Sequence, residues 1–212
     1  MIRTELLALT AILAVAMPTR VVAQGTAMTV NPASKVTLSG GSNVHDWSCK
    51  SSAFQATIEV DSAYETRPMT ELAKPIRKVS VTIPVKSLKC GKGKMDENMY
   101  KALREPEFPE IRYVLESYEV DTALTTRDAF TARTVGTLTV AGAAKQVEIP
   151  ITAQRQAGGT MKGEGALKFL MTDFGIKPPV ALLGTLRTKN EAEVNFEVLL
   201  DRAVIVALTQ TP

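Results

Sequence analysis

The sequence is short of the side chains that most often carry chemistry. Its 212 residues hold one histidine, His45, one tryptophan, Trp47, and two cysteines, Cys49 and Cys90. A structural zinc site takes four closely spaced His or Cys ligands, and this inventory cannot supply one. No C-x-x-C-H is present to attach a haem. The charge excess is only +3 and no long basic run occurs, which argues against nucleic acid as a partner. Aromatics make up 5 % of the chain, too few for the girdles of an outer-membrane barrel. Beyond the N-terminal run, no apolar stretch is long enough to cross a bilayer as a helix.

That N-terminal run is "MIRTELLALTAILAVAMPTRVVAQG". Arg3 precedes an apolar segment from Leu6 to Met17, and Val21-Val22-Ala23 offers small residues for a signal peptidase. The pattern predicts a secretory signal over residues 1–23, cleaved after Ala23, with Ala16 as the weaker alternative. The expectation is a periplasmic or secreted protein of one domain, residues 24–212. In such a compartment two cysteines pair, which predicts a Cys49–Cys90 disulfide, with two free buried thiols as the alternative. The bridge closes a loop of about 40 residues and contributes roughly 3–4 kcal/mol in the chain-entropy model.

From Ser34 onward the apolar period is two. Phe54, Ala56, Ile58 and Val60 alternate with Gln55, Thr57 and Glu59. The same holds for Val79, Val81, Ile83 and Val85; for Ile111, Tyr113 and Leu115; for Val147, Ile149 and Ile151; for Leu167, Phe169 and Met171; and for Val194, Phe196, Val198 and Leu200. Such segments are antiparallel strands with one dry and one wet face. "GTLTVAGAAKQVEIPI" reads as a hairpin turning at Ala141-Gly142. One segment breaks the period. Met95, Met99 and Leu103 recur every four residues, and Pro106 and Pro109 follow. This predicts a helix over 95–104 with Asp96 as its N-cap, between the fourth and fifth strands. "DSAYETRPMTELAKP" and "IKPPVALLGTLRTKN" read as loops. The chain is therefore all-β with one helix, a soluble barrel or a sandwich.

The rare residues crowd into "SNVHDWSCK", residues 42–50. If residues 43–49 are a strand, His45 and Asp46 point to opposite faces. His45 and Cys49 share a face but stand ~13 Å apart along it. Neither pair makes a catalytic dyad, and no second histidine can substitute, so no catalytic residue is assigned. In "CGKGK", Lys89, Lys92 and Lys94 lack phosphate-loop spacing. They read as a solvated loop or as a cationic rim for an anionic head group.

Taken in order, "SNVHDWSCK", "SLKCGKGKMDENMYKAL…PEFPEIRYVLES", "GTLTVAGAAKQVEIPI" and "LMTDFGI" resemble the YceI-like family of periplasmic proteins. The resemblance spans about residues 36 to 200. "HDWSC" departs from the more aromatic strand of typical members and is similar to a branch with paired cysteines. The resemblance implies a closed antiparallel lipocalin-like barrel of about eight strands with an apolar lumen. It implies a bound polyisoprenoid or other lipid, with no cofactor, no metal and no catalysis. The inward set is then Phe54, Ile58, Val81, Ile83, Tyr113, Leu115, Phe169, Met171 and Phe196. His45, Trp47 and Tyr113 are the candidate polar contacts. For each of these residues the plainer role is ordinary core. The alternative to a carrier is a filled barrel that works through its outer surface.

Overall fold

A computed structural model describes residues 25–181 and 184–202. The N-terminal segment read as a secretory signal, with its cleavage point, lies outside the described residues. The strands are β1 (Gly25–Val30), β2 (Lys35–Ser42), β3 (Asp46–Ser51), β4 (Gln55–Asp61), β5 (Ile76–Pro84), β6 (Glu110–Asp121), β7 (Ala129–Val140), β8 (Ala143–Arg155), β9 (Met161–Leu170), β10 (Val180–Ala181) and β11 (Leu186–Arg202). One helix, α1 (Gly93–Ala102), separates β5 from β6.

All pairings are antiparallel, and the ring closes. The order runs β1-β4-β5-β6-β7-β8-β9-β11, and β1 bonds back to β11. The 17-residue β11 carries β2 along its first part and β1 along its last residues. Because β3 pairs with β2 and β4 pairs with β1, these four strands form two bent staves. Serines fill the bends. The Ser34 side chain, 1 % exposed, accepts from the Leu199 amide at 2.9 Å and donates to the Leu199 carbonyl at 3.2 Å. It thus supplies the ladder bonds that the bend interrupts. At the second bend Ser51 Oγ accepts from the Ala53 amide and meets Ser87 Oγ at 2.8 Å.

The β7–β8 hairpin turns at Ala141 and Gly142, both at positive φ (49° and 83°), as a two-residue turn that fits strand twist requires. A Cβ on Gly142 would lie 2.5 Å from the Phe108 ring, so this position takes only glycine. β6 slips register between Leu115 and Ser117. The bulge turns Tyr118 and Val120 inward after Ile111, Tyr113 and Leu115.

Several expectations shift. The alternation read from Ser34 misses β1, so the helix follows the fifth strand of the full count. α1 starts two residues earlier than expected, at Gly93, with Lys92 in the N-cap position. Asp96 is not the cap. Its carboxylate lies in the first turn and accepts from the Cys90 amide at 2.7 Å, tying the incoming loop to the helix. Residues 43–45 are a turn rather than strand, because Ser42 Oγ accepts from both the Val44 and His45 amides. The segment 61–75 is no plain loop. It holds two 3-10 turns whose Tyr64, Met69 and Leu72 are buried. The late loop carries β10, which pairs with the start of β11.

Candidate ligand-binding lumen

Two apolar clusters close the barrel at opposite ends. The floor cluster joins Tyr64, Met69, Leu72 and Phe130 to Met28, Ile58, Met161 and Leu200. The mouth cluster joins Met99 of α1 and Leu103 just after it to Cys49, Leu88, Met171, Phe174 and Ile176. Between them lies a cavity of about 590 Å³, within the usual range for small-molecule sites.

Every residue of the predicted set lines this cavity: His45, Trp47, Phe54, Ile58, Val81, Ile83, Tyr113, Leu115, Phe169, Met171 and Phe196. Their placements differ. Val81, Ile83, Tyr113, Leu115, Phe169 and Phe196 stand on strands at the inward period. Phe54 sits in the bend before β4, and Met171 in the 3-10 turn after β9. Ile58 and Met171 are buried and belong to the end clusters. His45 is exposed at the rim. Its carbonyl accepts from the Ser42 amide and hydroxyl, at 3.0 and 2.7 Å.

Three of the aromatics that line the lumen pack against a glycine. Trp47 faces Gly40, Phe196 faces Gly165, and Tyr113 reaches over Gly136. A Cβ at these glycines would meet the rings at 2.4, 2.5 and 2.7 Å. No larger residue leaves the aromatic in place.

Several polar groups inside are already bonded, whereas the buried Tyr64 hydroxyl at the floor has no hydrogen-bond partner among the described residues. Thr134, 4 % exposed, donates to the Ile149 carbonyl at 2.8 Å. The Tyr113 hydroxyl turns to Thr134 Oγ1 at 3.4 Å, and burial pushes its pKa up against the opposing effect of that bond. Trp47 Nε1 donates to the Gly41 carbonyl at 3.2 Å. With these bonds spent, the wall offers a ligand chiefly apolar contact. Thr134, Leu138, Ile149 and Val194 also line the lumen. Ile149 and Val194 stand on apolar rows already legible in the sequence, and Thr134 and Leu138 extend the same period into β7.

Among the described residues, the charged side chains that line the cavity are cationic, Lys92, Lys94 and Lys162, and no Asp or Glu joins them. The Lys162 ammonium is held by Glu164 and Glu197 at 2.7 and 3.1 Å. Lys94 pairs with Glu97 where both are well exposed, and Lys92 forms no ion pair among the described residues. Lys89 is different. It meets the Tyr100 hydroxyl at 2.7 Å, which raises its pKa, and it lies 3.9 Å from Asp96.

Cys49 and Cys90 are disulfide-bonded, and both sulfur-bearing residues line the lumen. Beside the bond, Lys50 and Lys89 exchange backbone hydrogen bonds at 2.8 and 2.9 Å. The staple therefore fixes the segment entering α1 against β3. Among the described residues, no group of three or more His, Cys, Asp or Glu could hold a metal ion. No helix among them is long and apolar enough to cross a membrane.

The model of the YceI-like domain matches residues 28–200. BcnA of Burkholderia cenocepacia superposes with a TM-score of 0.62 at 19 % identity, covering 81 % of this chain and 99 % of that one. A polyisoprenoid-binding domain of Saccharophagus degradans gives 0.59 at 12 % identity, covering 84 % and 98 %. The YceI protein of Campylobacter jejuni gives 0.54 at 17 % identity, covering 71 % and 82 %. At these identities the likeness is one of fold. No curated protein matches the sequence.

Proposed function

The chain belongs to the YceI-like family, and from that premise we propose that it is an exported, non-catalytic carrier of an apolar chain. The observation that carries the reading is the lumen itself: about 590 Å³, walled chiefly by apolar side chains, with Trp47 and Thr134 bonded to backbone carbonyls. Each methylene taken from water into such a wall contributes ~0.8 kcal/mol, so length alone gives affinity. A polyisoprenoid or fatty chain is the ligand class, with its polar end among His45, Lys92, Lys94 and Asn98 at the rim. The binding of polyisoprenoid by the Saccharophagus degradans domain supports this choice. The cavity volume weighs against a filled barrel that acts only through its surface.

Mass spectrometry of organic extracts from the native protein tests the reading. A stoichiometric isoprenoid or acyl species is expected. An empty extract, together with no uptake of added farnesyl or acyl chains, overturns it. The same preparation tests export: N-terminal sequencing is expected to begin at Gln24, and a periplasmic or secreted fraction to hold the protein.

A further inference from the structure

Few large apolar side chains of this barrel are well exposed, and two of the three most exposed stand together. Val44 is 69 % exposed in the β2–β3 turn, and Val180 is 55 % exposed in β10. Arg187 lies between them. The Asn43 amide donates to the Arg187 carbonyl at 3.0 Å, the Arg187 amide donates to Asn43 Oδ1 at 2.8 Å, and Val180 is the strand partner of Arg187. The neighbouring His45, Pro179 and Leu186 line the lumen, so this apolar pair borders the mouth. Lys92 and Lys94 line the same opening from the α1 side.

Arg187 and Lys92 have no carboxylate partner among the described residues. At the floor, Arg67, Arg77, Arg155 and Arg202 each face a carboxylate, while Lys74 and Arg127 form no ion pair among the described residues. Asp46 is the acid beside the patch, and it shares the Gly41 surface with Lys189. Exposed valines flanking Arg187, with Lys92 and Lys94 at the same opening, match the chemistry of an anionic bilayer surface. The apolar side chains enter the acyl boundary while the cations meet phosphate.

We propose that the mouth rim docks on an anionic lipid surface, placing the lumen opening against the membrane. The inference does not depend on what the lumen holds, because docking is read with no lumen ligand added. The test is co-sedimentation of the full mature protein with vesicles of phosphatidylglycerol and phosphatidylethanolamine, and with vesicles of phosphatidylcholine alone. Binding is expected to the first and not the second, and to weaken in high salt. Val44→Asp with Val180→Asp is expected to abolish it. Lys92→Gln and Lys94→Gln are each expected to weaken it about fivefold. Leu124→Asp, which alters an equally exposed residue in the β6–β7 loop at the floor, is expected to leave it intact. Absence of binding to the anionic vesicles overturns the proposal, as does equal loss from Leu124→Asp and from the valine pair. Circular dichroism of each variant separates lost docking from lost fold.

Discussion

The two ends of the barrel are closed by different means. The floor is closed by packing: Tyr64, Met69 and Phe130 are each 1 % exposed, and two 3-10 turns carry the first two across the opening. Arg155 holds this plug from outside, bonding the Tyr64 and Arg67 carbonyls and pairing with Asp128 at 2.9 Å. The mouth is spanned by one short helix, α1, and a disulfide, and exposed lysines reach its lining. The mouth also buries an apolar cluster, around Leu88, Met99 and Phe174, and there a covalent staple ties the segment entering the helix to β3.

The largest test of that contrast is Phe130→Ala. Its ring is fully buried in the floor, and truncation is expected to cost about 3–5 kcal/mol in urea unfolding. A loss under ~1 kcal/mol would show that the plug is not the main seal. Next is reduction of Cys49–Cys90, expected to cost roughly 3 kcal/mol. Hydrogen exchange should then rise in α1 and residues 85–92 and stay low in β4, β7 and the floor turns. Uniform deprotection would mean that the staple supports the whole ring.

The smallest effect expected is from acid. At the floor end the Asp61 carboxyl is held below its usual value, first by the Ala63 amide and then by Arg77. Asp201 is held down by Asn31 and then Thr160. A carboxyl whose folded pKa lies below its unfolded one stabilises the fold above the unfolded pKa. That stability is lost as pH falls from about 4 through the lowered folded value. Exchange at β1 and the 61–65 turn should therefore rise below pH 4 before it rises in α1. The reverse order would contradict the assignment.

What the sequence made legible follows from where a periodic pattern exists. Strands such as β5, β8 and β11 repeat every two residues over long spans, so their inward rows were readable. The Cys49–Cys90 bond needed only a count of two and a compartment. The floor was not readable, because 3-10 turns of three and four residues leave no period. Tyr64, Met69 and Leu72 sit five and three residues apart, which fits no regular element. β1 was missed because six residues beside the expected signal give only Met28 and Val30 as inward apolar positions. A strand over 43–49 takes in His45, which in fact lies one residue before β3, because the Ser42 hydroxyl builds a local turn that alternation alone does not reveal. The three glycines under the aromatics had a signal, since glycine inside a strand marks close approach. Their partners became visible only with the register.

The long last strand has a consequence for how the molecule comes into being. β11 supplies partners to β1, β2, β9 and β10, and every one of them precedes it in the chain. Ring closure thus joins the first described strand to the last, a contact of very high sequence separation that forms slowly. Until residues 186–202 have been synthesised, β1 and β2 have no β11 to pair with and the wall is a sheet with open edges. A polypeptide in that condition is still threadable, and it becomes a vessel only when its final strand arrives.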